Sequence, residues 1–194
     1  MADLITLEDY KEAEGISNPK DDLKLNALIP SVSQLVKTYC GNSIVDHYST
    51  DKVEFFNINW ATNIAQLTES PIKIIFFVQE RSSYGSPYTV VPATEWYLDS
   101  DTDSIYRVTA SGNAKNWPSG PGSVKISYNA GYATCPADLK LAVIDLITYY
   151  HKDEHKERKV MQGASLQNSA TTSQADSIGF PDHIKRILDF YKNH

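Results

Sequence analysis

The sequence predicts an α+β protein, because apolar residues recur at helical spacing near both ends and alternate with polar residues in the middle. The boundaries fall near 44 and 133, with helical parts in 1–44 and 133–194 and a β-rich part in 45–132. The 194 residues are 41% hydrophobic and 22% charged, an ordinary composition for a globular domain. A chain this long buries about 70% of its unfolded surface, so it needs no disulfide or metal for stability.

Two helices are predicted before residue 44. Thr6 is a suitable N-cap for the first helix, and acidic residues follow it in the first turn. Gly15 is a natural end for this helix. The second helix begins after an Asn18 cap and ends at Gly41, with apolar residues along one face. Pro30 lies inside this stripe and removes one hydrogen bond. Because the stripe continues in phase across the proline, we expect a kinked helix rather than two helices.

Residues 50–128 have the composition and alternation of strands. The strongest run, 71–78, is nearly apolar throughout, which predicts a strand covered on both faces. The segment 99–104 is predicted to be a turn and 117–122 a loop. Further short strands are expected at 56–60, 88–91, 95–98, 105–108 and 124–128. Their order along the chain predicts an antiparallel sheet or a small sandwich.

The C-terminal part begins with a helix from Pro136 that is apolar on most sides, which is typical of a buried central helix. Residues 161–179 are rich in Ser, Gln, Ala and Thr and are expected to form a flexible linker. A short last helix follows Pro181. Its apolar residues are spaced for one face and its basic residues lie elsewhere on it: Phe180, Ile184, Ile187, Leu188 and Tyr191, with Lys185 and Arg186.

One motif suggests metal chemistry. His151, Glu154 and His155 match the H-x-x-E-H pattern, in which two histidines one turn apart chelate zinc and the glutamate activates water. A catalytic zinc site needs a third protein ligand, and only Glu157 follows as a further glutamate. The pattern therefore fits a solvated, charged helix end better, and no catalytic or metal residue is predicted.

Other candidate sites also have simpler explanations. Asp99, Asp101 and Asp103 alternate as calcium ligands do, but the glycine and glutamate that complete an EF-hand loop are absent, which favours a polar turn. Cys40 and Cys135 are too few for a disulfide framework and are expected to be reduced, buried small residues. The tryptophans could form a stacking surface for a sugar or peptide, although core positions are more common: Trp60, Trp96 and Trp117.

Charge and hydropathy exclude several classes of protein. The formal charge of −6 argues against a grip on nucleic acid through phosphate neutralisation, although it allows DNA to slide past. No stretch approaches the ~20 apolar residues of a membrane span. The acidic start lacks the pattern of a signal peptide, which favours a cytoplasmic site of synthesis.

Three blocks of sequence resemble the phage head-to-tail connector (adaptor) proteins. The first is the opening pattern L-E-D-Y-K within 7–41. The second is more specific: N-W-P at 116–118, then a strand ending in Y-N-A-G-Y at 128–132 and P-A-D-L-K at 136–140. The third is G-F-P at 179–181 with its following stripe. Together they are similar to the longer subfamily that carries a β insertion. Pro30 departs from the family's uninterrupted helix.

The resemblance implies a fold and a function. The fold would be a small helical bundle, made of N-terminal helices, a long central helix and a short C-terminal helix, with an antiparallel β insertion. The protein would be a non-enzymatic virion protein of the head–tail neck, assembled in the bacterial host cytoplasm, without cofactors. It would form a ring, typically of twelve subunits, under the portal protein and would extend the DNA channel.

The resemblance also implies partners. These would be further copies of the chain, the portal protein and a stopper or tail-completion protein, with double-stranded DNA passing through the lumen without specific binding. C-terminal segments of such adaptors reach onto the portal, so the stripe 180–191 is expected to supply docking residues. The alternative is that this helix packs back on its own bundle. Rival functions are another head- or tail-completion protein such as a stopper, a small zinc hydrolase and a carbohydrate- or peptide-binding module.

Overall fold

The computed structural model describes residues 2–153 and 180–192, which form two compact units. The helical unit consists of the described residues of Met1–Cys40 and Thr134–Lys192, and the β unit of Gly41–Ala133. In the described part, no helix is both long enough and apolar enough to cross a membrane.

The helical unit contains four helices: α1 Leu7–Glu14, α2 Asp22–Cys40, α3 Ala137–His151 and α4 Asp182–Asp189. Helix α2 packs against the other three. Helix α3 also contacts α4, and its buried residues cover most of its circumference, which confirms a central buried helix. Leu141 is an exception among the apolar residues of α3, because it is 56% exposed.

Helix α1 begins and ends as the sequence predicts, whereas the predicted Asn18 cap of α2 is wrong. The Thr6 hydroxyl accepts a hydrogen bond from the Asp9 amide, and the Asp9 carboxylate accepts one from the Thr6 amide. Gly15 ends α1 in the left-handed conformation. Helix α2 is one element that contains Pro30, and it begins at Asp22, four residues after the predicted Asn18 cap. Asn18 instead accepts a hydrogen bond from the Lys20 amide within the preceding turn.

Seven strands make two antiparallel sheets in the β unit. The strands are β1 Lys52–Ile58, β2 Ile64–Gln66, β3 Ile72–Glu80, β4 Thr89–Val90, β5 Trp96–Asp99, β6 Ser104–Arg107 and β7 Gly120–Ala130. A short 3-10 turn, Ala93–Glu95, precedes β5. The larger sheet has the order β1-β7-β3-β4 and the smaller β2-β6-β5.

The inner faces of both sheets contribute to one hydrophobic core, so the β unit is a small sandwich. Val78 and Ile126 are buried there from the larger sheet, and Ile105 from the smaller. Trp117 is 2% exposed and belongs to the same core. The order of strands along the chain is compatible with an antiparallel sheet or a small sandwich, and the two facing sheets show that the β unit is a sandwich.

Two predictions for the β part are wrong. The apolar run 71–78 is not covered on both faces, because Ile74 and Phe76 are each 48% exposed. The predicted loop 117–122 ends early, since β7 begins at Gly120. Strand β2 has three residues and is too short to produce a recognisable alternation.

The Y-N-A-G-Y block has a structural reason. Gly131 follows β7 with φ +89°, and a Cβ at this position would lie 2.2 Å from the carbonyl oxygen of Ile44. The same carbonyl accepts a hydrogen bond from the Tyr132 amide, 2.7 Å away. The Gly131 amide donates to Pro71. Only glycine therefore fits where the chain leaves the sheet.

Candidate contact surfaces of the C-terminal helix and the comparisons with known proteins

Helix α4 is held on its own bundle by an apolar face. Ile184 and Leu188 are 1% and 0% exposed, and Phe180 just before the helix is also buried. The ring of Phe180 meets that of Tyr39 on α2 edge to face, with 5.2 Å between centroids. This packing is the alternative considered in the sequence analysis.

Polar contacts fix both ends of the same helix. At its C-terminal end the Tyr191 hydroxyl donates to Asp138 Oδ1 over 2.6 Å, and this hydrogen bond lowers the pKa of Asp138. The Tyr39 hydroxyl donates to Asp189 Oδ1 over 2.7 Å. Burial, with this hydrogen bond to a carboxylate, raises the pKa of Tyr39 to about 12. Near the start of α4, His183 lies 3.9 Å from Asp145 in the middle of α3, whereas Tyr191 just after α4 contacts Asp138 at the start of α3. Helix α4 therefore runs antiparallel to α3.

The structure separates the predicted docking residues into three groups. Phe180, Ile184 and Leu188 face the bundle, whereas Arg186 is exposed. The remaining three are half-buried: Lys185, Ile187 and Tyr191. Phe190, which the sequence analysis did not select, is 84% exposed. Phe190 lies outside the apolar stripe, but it is four residues after Arg186 and therefore lies on the same side of the helix as that basic residue. This spacing was the feature of the sequence that could have identified it.

The H-x-x-E-H motif is only partly within the described residues. His151 is the last residue of α3, and its carbonyl oxygen accepts a hydrogen bond from Lys24 Nζ at 2.7 Å. Glu154 and His155 lie outside the described residues. In residues 2–153 and 180–192, no three His, Cys, Asp or Glu side chains are placed to hold a metal ion.

The alternating aspartates organise a turn between β5 and β6. Asp99 accepts hydrogen bonds from the Asp101 amide and the Thr102 hydroxyl. Asp103 accepts one from the Ile72 amide over 3.1 Å. These carboxylates therefore have protein donors as partners, which agrees with the predicted polar turn.

The cysteines and tryptophans have the environments of structural residues. Cys40 is buried and Cys135 half-buried, and both are free thiols. Burial raises the pKa of each thiol to about 12, which suppresses the nucleophilic thiolate. Trp60 is 71% exposed, whereas Trp96 is half-buried and Trp117 belongs to the core. The tryptophans therefore do not form a common exposed surface.

Comparison with known structures finds this fold in chains of gene transfer agent particles. A chain from the neck of an empty gene transfer agent particle, computed with C6 symmetry, matches with a TM-score of 0.60 and 15% identity, covering 98% of this chain and 90% of that one. A chain from the neck of the native particle, computed with C12 symmetry, matches with a TM-score of 0.58 and 16% identity, over 100% and 94%. These matches establish a shared α+β fold.

Sequence comparison then gives the family. The chain belongs to the head completion protein family, whose model matches residues 3–194. It is 22% identical over 189 residues to the head completion protein of Escherichia phage T5, covering 97% of this chain and 98% of that protein. It is therefore a structural protein that completes the phage head, and this family membership confirms the connector resemblance.

Proposed function

We propose that this protein forms a closed ring under the portal protein, extends the DNA channel and offers a docking surface to a stopper or tail-completion protein. The main support for this proposal is the fold that the chain shares with chains from gene transfer agent necks, which were computed with C6 and C12 symmetry. Full-length coverage of both chains means that the shared fold includes the β unit and not only the helices. A twelvefold ring is the stoichiometry that fits both symmetries.

The chain's charge agrees with a conduit for DNA. A formal charge of −6 per subunit would make a ring strongly acidic, and acidic walls repel phosphate. DNA would then pass without specific binding. This role requires no catalytic step and no cofactor, and the proposal assigns none.

For the portal contact, we propose that α4 stays packed on its bundle and presents its outer side. Arg186 is exposed there, with Lys185 half-buried beside it, and both would meet acidic groups of the portal. The exposed ring of Phe190 would supply the apolar contact, together with the half-buried Ile187 and Tyr191. Phe180, Ile184 and Leu188 would hold the helix in position from beneath.

Electron microscopy of a phage that carries a nonsense mutation in this gene tests the function. Filled heads separate from complete tails are the expected result. Infectious particles of normal appearance would refute the connector function.

Binding to purified portal tests the contact itself. Arg186→Glu and Phe190→Ser should weaken binding at least about tenfold at low salt, with the charge effect reduced at high salt. Lys20→Glu is the matched control, because Lys20 is an exposed lysine of the same unit and the charge change is the same. Equal affinity of all variants would refute the docking surface while leaving the ring intact.

A further inference from the structure

The outer face of the larger sheet is apolar, aromatic and cationic. Lys125 of β7 lies at its centre, with its ammonium 5.9 Å from the ring centroid of Phe55, 5.3 Å from that of Phe77 and 5.7 Å from that of Tyr88. Arg81 covers the other side of the Tyr88 ring at 4.9 Å. We call this surface the cationic face and define it as Val53, Phe55, Phe77, Arg81, Tyr88, Val90 and Lys125.

The cationic face lacks a partner within the part of the chain that the structure describes. Phe55 is 59% exposed and Val90 64%. No described carboxylate lies within ion-pair distance of the Lys125 ammonium. Contiguous exposed apolar side chains around an unpaired cation are typical of a protein contact surface.

The outer face of the smaller sheet has the complementary character. Ile64, Tyr106 and Tyr97 lie opposite one another on β2, β6 and β5. The rings of Tyr97 and Tyr106 are stacked, with centroids 5.0 Å apart and planes inclined by 7°. Asp99 is two residues beyond Tyr97 and so lies on the same side of β5. We call Ile64, Tyr97, Asp99 and Tyr106 the tyrosine face.

These two faces point in opposite directions. Ile126 of the larger sheet and Ile105 of the smaller are both buried in the core that the sheets share. The strand neighbours Lys125 and Tyr106 must therefore point outward, away from that core. A unit with different, complementary surfaces on opposite sides is suited to head-to-tail contacts, which close into a ring when the rotation per subunit permits.

We infer that the cationic face of one β unit binds the tyrosine face of the β unit of the next copy. Lys125 would approach Asp99 of the neighbour, and the aromatic side chains of both faces would pack together around that ion pair. The inference rests on the proposed ring and specifies which surfaces make it.

Cross-linking of the full-length chain tests this pairing. Val53→Cys and Ile64→Cys place one thiol at the edge of each face, in a Cys135→Ser background that leaves only the buried Cys40. Packed sheets lie about 10 Å apart and these side chains point outward, so a short bismaleimide cannot join them within one chain. The double variant is expected to give a ladder of covalent oligomers on a denaturing gel, whereas either single variant gives monomers.

Each other outcome has a defined meaning when mass photometry of the same samples reports the rings. Rings with only monomers on the gel would refute the face pairing and leave the ring proposal standing. Dimers from Val53→Cys alone would show that the cationic face pairs with itself, which also refutes the inference. Absence of rings from the background protein, alone and on purified portal, would refute both proposals.

A charge exchange tests the ion pair. Lys125→Glu and Asp99→Lys should each reduce ring formation at least about tenfold at a given concentration, because like charges then meet. The double variant should restore it. Circular dichroism verifies that each variant is folded, and Lys20→Glu in the helical unit is the control. Single variants that assemble normally, or a folded double variant that does not recover, would refute the proposed pair.

Discussion

Arg107 joins the two sheets of the β unit through a two-point ion pair with Glu80. Its Nε lies 3.0 Å from Glu80 Oε2 and its Nη2 3.0 Å from Oε1. Nη1 donates to the carboxylate of Glu95 over 2.8 Å and also to two carbonyl oxygens. The guanidinium, 2% exposed, therefore has at least one hydrogen-bond acceptor at each of its three nitrogens, from both sides of the sandwich.

Replacing Arg107 should be among the most damaging changes to the β unit. Arg107→Met keeps the aliphatic bulk but leaves Glu80 without its cation and Glu95 with only the more distant Lys115, and breaking such a buried pair costs about 3–5 kcal/mol. Urea unfolding measures the change. Lys115→Met is the control, because Lys115 is 45% exposed and lies 3.8 Å from Glu95, a contact worth less than about 1 kcal/mol. Equal effects of the two variants would contradict the structural role of Arg107.

Glycine at 131 should be indispensable for a steric reason. Gly131→Ala places a Cβ against the Ile44 carbonyl and also requires a left-handed backbone, so we expect it to destabilise the protein by more than about 2 kcal/mol. Gly112→Ala separates the two effects. Gly112 has φ +82° but nothing within 4 Å of its missing Cβ, so only the backbone cost of about 1–2 kcal/mol remains. Similar urea midpoints for both variants would refute the close approach.

Sequence reasoning succeeded where local chemistry decides the structure. The Thr6 cap, the glycine stop at 15 and the start of α4 after Pro181 follow from the hydrogen-bonding needs of helix ends and from proline's fixed φ. The buried α3 follows from its apolar circumference. These features depend on residues within a few positions of one another.

It failed where distant partners decide. The run 71–78 has the composition of a strand buried on both faces, yet one face is open, and the sequence cannot show which surfaces a subunit leaves uncovered. Arginine is typical of protein surfaces, and Arg107 can be buried only because it is paired with carboxylates. Docking of the α4 stripe on the portal stays a prediction, because periodicity gives the apolar face of a helix but not what covers it.

The packing of α4 makes this helix part of the core of the helical unit. A truncation after Gly179 would remove Ile184 and Leu188 from that core and would therefore destabilise the unit. Leu188→Ala alone should cost about 2–5 kcal/mol, whereas Phe190→Ala, at an 84% exposed position, should change stability by less than about 0.5 kcal/mol. Thermal unfolding of both variants measures this contrast. An unchanged Tm for Leu188→Ala would show that α4 is not packed on its bundle in solution.

The N-terminal capping box should make stability depend on pH in acid. The Asp9 carboxylate accepts hydrogen bonds from Lys140 Nζ at 2.7 Å and from Thr6, and these partners lower its pKa from 3.8 to about 2. Because the pKa is lower in the folded state, the stabilisation is complete above the unfolded value and is lost as pH falls from about 4 through 2. Asp9→Asn should therefore be less stable than wild type near pH 6, with the difference shrinking by about pH 3 and disappearing below pH 2. Urea unfolding at several pH values measures it, with the exposed Asp3→Asn as the matched control. A difference between Asp9→Asn and wild type that stays constant across this range would show that the Asp9 carboxylate does not stabilise the folded state through its charge.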